Sequence, residues 1–198
     1  MSRRGIGRRA SAVAGLVSGD NVAGMSRTLL ALLVPDAEPL VGDLRARLDP
    51  AARLGLGAHI TLVYPFLDSE AIDDDVAERL RNVARQHAPV SFVLDEVGTF
   101  PSTVWLAPRS AEAIVSLAAA LESAFPDRPT AGRVFERFVP HLSVARNILG
   151  DRDAVVATLE DRLGSAHGVV CHCADVHVMT RSDEGWQMHS RVPLGGGT

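Results

Sequence analysis

The sequence predicts an α+β fold in which two antiparallel sheets with outer helices face each other across a central cleft. Strand-like and helix-like segments alternate along the chain, and two histidine tetrapeptides of one pattern lie in its successive halves. The chain has 198 residues, 46% of them hydrophobic, which is enough to bury a sizeable core. We expect one bilobal domain with a pseudo-twofold repeat over residues 27–195, and a tail at 196–198.

The first half of the chain is predicted as strand, helix, strand, helix. A continuous apolar run over residues 28–34 is typical of a buried strand, and a helix follows over residues 35–48. The first histidine strand comes after a glycine-containing loop and ends at Pro65. Ser69 is the candidate N-cap of the next helix, over residues 70–87, whose first turns are acidic.

The second half is predicted as two strands, a helix, the second histidine strand, another helix and a final strand pair. The ranges are residues 90–99, 103–107, 111–124, 137–146, 152–163, 168–181 and 185–194. Asp151 can cap the last helix, and residues 182–184 turn the final strand pair. Each half therefore contains one histidine strand in a similar setting.

The repeated tetrapeptide is His59-Ile60-Thr61-Leu62 in the first half and His141-Leu142-Ser143-Val144 in the second. Alternation along a strand places the histidine and the hydroxyl on one face and the aliphatic residues on the other. A lone strand histidine is usually structural, but two matches should arise by chance in roughly one such sequence in a hundred. Two such strands side by side would offer two imidazoles and two hydroxyls to one ligand.

The motifs in their context resemble the 2H phosphoesterase superfamily. The segment Ala58-His59-Ile60-Thr61-Leu62-Val63-Tyr64-Pro65-Phe66 is similar to its RNA 2′,3′-cyclic phosphodiesterase and 2′-5′ RNA ligase branch. The segment Pro140-His141-Leu142-Ser143-Val144-Ala145-Arg146 is similar to the second family signature. This resemblance covers residues 28–194 and implies the bilobal fold of the family and a phosphodiesterase that needs no metal or cofactor.

His59 and His141 are the candidate catalytic residues. Opening a cyclic phosphate requires a base that takes a proton from water and an acid that protonates the leaving sugar oxygen. Imidazoles with a pKa near 6.5 can supply both near neutral pH, and the sequence leaves open which histidine is the base. Thr61 and Ser143 are candidate substrate-binding residues that donate hydrogen bonds to the non-bridging phosphate oxygens.

Further substrate-binding candidates lie around the motifs. Four aromatic residues are candidates for contact with a nucleobase, with core packing as the alternative: Tyr64, Phe66, Phe100 and Trp186. Tyr64 and Phe66 alternate onto the strand face opposite His59, but they lie at the strand's end, where the geometry relaxes. Arg137 and Arg146 flank the second motif and are candidates for holding additional phosphates.

The composition excludes several mechanisms. All 20 basic residues are arginine, so a Walker A loop, a Schiff base and a lysyl-nucleotide intermediate have no lysine to use. The net charge of −4 gives no overall footprint for long nucleic acids. Cys171 and Cys173 are too close together for a disulfide framework, which favours a reducing cytoplasm.

The first residues differ in kind from the remainder. Arginines precede a short apolar run that Ser11 and Gly15 interrupt, which is a poor match to a signal peptide. We expect residues 1–26 to be a disordered extension or a mis-assigned start, with Met25 as the true first residue. No apolar stretch reaches the length that spans a bilayer.

A competing site is the cluster His167, Cys171, His172, Cys173 and His177. On one strand, the two cysteines and His177 would share a face and could ligate zinc. However, a Cys-x-Cys spacing suits zinc poorly, and we predict that the cysteines pack in the core.

The sequence therefore predicts a cytoplasmic phosphodiesterase that converts 2′,3′-cyclic phosphates of RNA ends or nucleotides to 2′-phosphates, and any 2′-5′ RNA ligation would be the reversal of 2′-5′ diester cleavage. The same histidines could instead cleave a linear 2′-5′ oligonucleotide, a cyclic oligonucleotide or an ADP-ribose cyclic phosphate. A nucleotide- or RNA-binding module without turnover and a zinc-dependent protein are the alternatives from other classes. We expect no membrane association and no obligate protein partner.

Overall fold

The computed structural model describes residues 27–129, 138–148 and 150–195. Within them the strands are β1 (Arg27–Leu33), β2 (His59–Val63), β3 (Val90–Phe100), β4 (Thr103–Arg109), β5 (Leu142–Arg146), β6 (Val169–Cys173), β7 (Asp175–Ser182) and β8 (Gly185–Pro193). The helices are α1 (Glu38–Leu48), α2 (Pro50–Arg53), α3 (Asp74–Ala84), α4 (Glu112–Ala124) and α5 (Arg152–Ala166). The expectations for residues 1–26 and 196–198, and for Arg137, lie outside the described residues.

The strands form an antiparallel sheet in the order β6-β3-β4-β5-β2-β1-β7-β8. The predicted α+β class is confirmed, but the two expected sheets are joined edge to edge into one. The junction lies between the histidine strands, where Ile60 of β2 pairs with Leu142 of β5. Because the repeat places each histidine strand at the inner edge of its own half, the two free edges can pair with each other.

The pseudo-twofold repeat relates β1-α1-β2 to β4-α4-β5. Each helix packs mainly on the histidine strand of the other half, α1 against β5 and α4 against β2. Val41 and Leu44 are buried on α1, and Ile114 and Leu117 are buried on α4. The two helices therefore cover the junction between the halves from the same side of the sheet.

Side-chain capping explains where α3 begins but not where α5 begins. The helix predicted from residue 70 begins at Asp74, because Asp73 rather than Ser69 is its N-cap and its carboxylate accepts a 2.9 Å hydrogen bond from the Val76 N–H. Asp151 occupies the N-cap position of α5 as predicted, but its side chain makes no capping hydrogen bond.

The single strand predicted over residues 168–181 is wrong, because the chain breaks at Ala174 into β6 and β7. β6 pairs with β3 in one half of the sheet, whereas β7 pairs with β1 and β8 in the other. The chain therefore crosses between the halves at this point. An alternating pattern specifies which face a residue occupies but carries no information about which strand is its neighbour, so the crossing could not be predicted.

Apolar side chains cover both faces of β1, which explains its continuous apolar run. Leu30 and Leu32 belong to the main core under the helices. Leu29 and Ala31 belong to a smaller cluster on the opposite face, with Leu56 and other residues packed over them. No helix that the structure describes is long and apolar enough to cross a membrane.

Candidate active site

The two motif histidines lie at the centre of the sheet. His59 is the first residue of β2, and His141 immediately precedes β5. The intervening residues Ile60 and Leu142 are fully buried in the core beneath the helices. The histidines therefore lie on the face of the sheet opposite the one that α1 and α4 cover, as the alternation predicts.

The register between the two strands brings the motifs together. Because β2 and β5 are antiparallel and Ile60 is opposite Leu142, His59 is opposite Ser143 and Thr61 is opposite His141. Directly opposite residues in antiparallel strands have Cβ atoms about 4.5–5.5 Å apart. The structure thus gathers four of the predicted site residues into one patch, in which each histidine adjoins the other motif's hydroxyl.

A carbonyl two residues earlier orients each imidazole. His59 Nδ1 lies 2.8 Å from the Gly57 carbonyl oxygen, and His141 Nδ1 lies 2.7 Å from the Val139 carbonyl oxygen. A carbonyl can only accept, so each Nδ1 carries the proton and donates it. In the neutral rings this leaves Nε2 as the nitrogen that is free to accept a proton.

Burial dominates the protonation of His59, which is 8% exposed. Desolvation lowers the pKa of His59 from 6.5 to about 4, although the hydrogen bond to the Gly57 carbonyl opposes this. Arg45 lowers the pKa further, Asp49 raises it and Arg146 lowers it. His59 is therefore neutral at pH 7 and able to act as a base.

His141 is more accessible but is affected in the same direction. Burial lowers the pKa of His141, the hydrogen bond to the Val139 carbonyl opposes the shift, and the Arg146 charge adds to it. The positive charge of Arg146 thus lowers the pKa of both imidazoles. An anion placed between the rings would favour the protonated form of either one.

A β-bulge in β2 shifts the alternation just before Tyr64. Leu30 of β1 pairs with Val63, and the next residue, Ala31, pairs with Thr61. Leu62 is therefore an extra residue in β2 with no partner in β1. Leu62 and Val63 are consequently both buried in the core. The alternation shifts by one, and Tyr64, 44% exposed, follows the face of His59 rather than the opposite face that was predicted.

The second motif has the equivalent bulge. Ser143 and Arg146 pair with Trp105 and Thr103, which are two residues apart on β4 and share a face. Val144 is the extra residue, and it turns Arg146 onto the face of Ser143. Tyr64 and Arg146 therefore occupy equivalent positions in the two halves of the repeat.

Two of the predicted nucleobase contacts lie away from the histidines. Phe66 is 1% exposed and packs edge-to-face on Phe125 at a centroid distance of 5.0 Å, so its predicted role in substrate binding is wrong. Its backbone N–H donates a 3.0 Å hydrogen bond to the Thr28 carbonyl of β1. Trp186 is partly buried against the small cluster that contains Leu29.

An aromatic cluster adjoins His141. The Phe100 ring meets the imidazole edge-to-face with centroids 5.3 Å apart, and the Trp105 ring lies 5.7 Å from the imidazole and 5.1 Å from Phe100. Trp105 is opposite Gly98 in β3, where a Cβ would overlap the indole. Trp105 was missed, although a glycine inside a strand does indicate that another group approaches the backbone closely.

Sequence reasoning also missed Arg45, which is buried under the site and donates to the Ser143 carbonyl. The available signal was an arginine directly after Leu44 on the core-facing side of a predicted helix.

The cysteine cluster does not form a metal site. Cys171 and Cys173 are buried in the core as predicted, and burial raises the pKa of both thiols to about 12. His177 pairs with Ala31 on the opposite face of the sheet, so the expected common face does not exist. Among residues 27–129, 138–148 and 150–195, no three His, Cys, Asp or Glu side chains converge as metal ligands.

Comparison with known proteins gives a consistent picture. A family model described as the 2′-5′ RNA ligase superfamily matches residues 33–185. A phosphoesterase of Bacillus licheniformis, named as putative, is 26% identical over 164 residues, which cover 80% of this chain and 92% of that protein.

Solved structures share the fold. Escherichia coli LigT complexed with 3′-AMP has a TM-score of 0.56 and 16% identity, covering 86% of this chain and 99% of LigT. A protein of Thermus thermophilus has a TM-score of 0.58 and 17% identity, covering 87% of this chain and all of its own. LigT complexed with ATP has a TM-score of 0.54 and 16% identity, covering 87% of this chain and 99% of LigT.

Proposed function

The chain belongs to the 2′-5′ RNA ligase superfamily, and we propose that it is a phosphodiesterase that opens the 2′,3′-cyclic phosphate of an RNA end or nucleotide and leaves a 2′-phosphate. The observation that carries this proposal is the register between β2 and β5, which sets each motif histidine beside the other motif's hydroxyl. A phosphate above this junction would meet an imidazole from each half. Two free, buried thiols are consistent with a reducing cytoplasm as the setting.

His59 acts as the base in this mechanism. Its pKa of about 4 keeps the ring neutral, and the carbonyl at Nδ1 leaves Nε2 to take the proton of an attacking water. As the water oxygen bonds to phosphorus, the bond between phosphorus and the ribose O3′ breaks.

His141 acts as the acid. The bound phosphate raises its proton affinity, and protonated Nε2 donates to the departing O3′. His59 takes one proton from the attacking water, and His141 gives one proton to O3′. The step therefore balances, and the product is a 2′-phosphate. When an RNA 5′-hydroxyl takes the place of water as the nucleophile, the same bond to O3′ breaks and the product is a 2′-5′ diester.

The hydroxyls of Thr61 and Ser143 donate to the non-bridging oxygens, where charge accumulates in the transition state. The Arg146 guanidinium, turned onto this face by the bulge, adds a positive charge near both imidazoles. Such a charge favours the binding of an anionic phosphate and offsets the cost of burying it.

The nucleoside lies on the aromatic side of the site in this proposal. Trp105 and Phe100 are partly exposed next to His141, and Tyr64 is exposed directly after the last residue of β2. Aromatic side chains of this kind stack on bases. The relative LigT has been crystallised with 3′-AMP, ATP and NADP⁺, which supports a nucleotide as the ligand.

A substrate panel in EDTA tests the proposal. The purified protein is incubated with 2′,3′-cyclic nucleotides, 3′,5′-cyclic nucleotides, ADP-ribose cyclic phosphate, cyclic dinucleotides and linear 2′-5′ and 3′-5′ dinucleotides, and products are identified by phosphorus NMR. We expect turnover of the 2′,3′-cyclic compounds to 2′-phosphates alone. Faster cleavage of another diester would identify that compound as the substrate instead. Loss of turnover in EDTA would indicate a metal enzyme, and binding without turnover would indicate a binding module.

A further inference from the structure

The junction between the two halves carries both histidine motifs, but β2 and β5 are paired there over a short length. One residue pair, Ile60 with Leu142, bridges β2 and β5. Beyond it, the Ser143 carbonyl accepts a 3.2 Å hydrogen bond from Arg45 Nε on α1. Where the backbone hydrogen bonds between β2 and β5 end, a side chain of α1 therefore provides the next hydrogen bond to β5.

Arg45 is 1% exposed, and its guanidinium has four partners. Besides Ser143, it donates to Asp49 Oδ2 at 3.0 Å, to the Leu56 carbonyl at 3.0 Å and to Glu38 Oε1 at 3.4 Å. These contacts join α1, the segment that leads into β2, and β5. One planar cation thus links the backbones on the two sides of the candidate site.

The two acidic partners extend the network towards His59. Glu38 Oε1 also accepts from the Ala58 N–H at 2.5 Å, directly before the histidine. Asp49 is 0% exposed and accepts from the Ala51 N–H at 3.0 Å, where it caps α2. Glu38, which holds Ala58 at the start of β2, is therefore linked through Arg45 to the Ser143 carbonyl.

The other half of the repeat has no such network among its described residues. The buried residues of α4, the counterpart of α1, are all apolar: Ile114, Leu117, Ala118 and Leu121. Replacing a buried ion pair by apolar side chains is often neutral or stabilising, so packing alone does not require the charges. The buried charges beside α1 therefore call for an explanation other than packing.

We propose that Arg45, paired with Asp49, is a positioning residue that holds the His59 and Ser143 backbones at the spacing one phosphate requires. This inference rests on the proposed phosphodiesterase function. The charged groups that act on His59 are Arg45 and Asp49 beneath it and Arg146 from β5. Arg45 lowers and Asp49 raises the pKa of the imidazole, so their effects on its protonation oppose each other.

Kinetics of a double variant provide the first test. Arg45→Met/Asp49→Leu removes both buried charges without leaving one unpaired, so we expect it to fold, with a lower melting temperature because the Leu56 and Ser143 carbonyls and the Ala51 N–H lose their partners. Its kcat on a 2′,3′-cyclic nucleotide should fall about 10- to 100-fold, because small displacements of reacting groups are costly, with a smaller change in KM. Arg45→Lys, which keeps the positive charge, should lose less kcat than the double variant. Arg47→Met, on the exposed side of α1, should have the kcat of the wild type. A folded double variant with wild-type kcat would overturn the proposal.

Histidine ring NMR provides a test that needs no turnover. Asp49→Asn should move the His59 titration to lower pH, and Arg45→Met should move it to higher pH, because the two charges act in opposite directions. If neither variant moves it, Arg45 and Asp49 are not coupled to His59 and the inference fails even when the wild-type enzyme is active. If the wild type turns over no cyclic phosphate but both shifts occur, the coupling stands and the proposed function is what fails.

Discussion

Each motif imidazole is oriented within its own segment, by a carbonyl two residues earlier. Neither half of the molecule needs the other to fix which nitrogen carries the proton. The halves differ in what surrounds the rings, since His59 is buried beside charged groups and His141 is packed by Phe100 and Trp105. This difference is the reason that one ring serves as base and the other as acid in the proposed mechanism.

Trp105 gives a prediction about the base-binding side of the site. Trp105→Leu should raise KM about 10-fold for 2′,3′-cyclic AMP, because stacking on an aromatic side chain is worth about 1–3 kcal/mol per base. KM for the 2′,3′-cyclic phosphate of methyl riboside, which has no base, should not change. Gly98→Ala should act in the same direction, since its Cβ would displace the indole.

Gly164→Ala is the matched control, because nothing lies within 4 Å of a Cβ at that position. Equal losses on the two substrates would show that Trp105 supports His141 instead of contacting the base.

At the scale of elements, the two β-bulges decide which residues reach the site. Alternation predicted the faces of residues 59–61 and 141–143 correctly but failed for Tyr64, which lies beyond the extra residue Leu62. The signal was present as two consecutive buried aliphatic residues in each motif, Leu62-Val63 and Val144-Ala145. Whether such a pair forms a bulge depends on the register with the neighbouring strand, which a single sequence does not reveal.

The order of strands and helices was largely predictable because each element has its own periodicity. The break at Ala174 was not, because β6 and β7 read as one alternating run while belonging to different halves of the sheet. The same error produced the false zinc ligand set, since it placed His177 on the face of the cysteines. Arg45 was missed because its role depends on carbonyls of Leu56 and Ser143 that only the fold brings close.

For the molecule as a whole, the buried base makes folding stability depend on pH. The unfolded His59 imidazole titrates near 6.5 and the folded one near a pKa of about 4. Between these values the unfolded chain binds the additional proton, so the free energy of unfolding falls as the pH drops from 6.5 to 4, and the contribution is complete above 6.5. The shift corresponds to about 3 kcal/mol.

Denaturant unfolding between pH 4 and pH 8 measures this dependence, with His59→Gln as the comparison. The variant should lose less stability than the wild type on acidification, because it has no imidazole to protonate at this position. Parallel pH dependences for the two proteins would contradict the assigned burial of His59 and, with it, the base role.

The account as a whole depends on two histidines from different halves acting on one phosphate in one step. The most direct test is kcat/KM for a 2′,3′-cyclic nucleotide in EDTA with His59→Ala, His141→Ala and the double variant. Acid and base that work as a unit predict a loss of about 10²- to 10⁴-fold in each single variant and little further loss in the double. Near wild-type turnover in either folded single variant, or losses that multiply in the double, would contradict it.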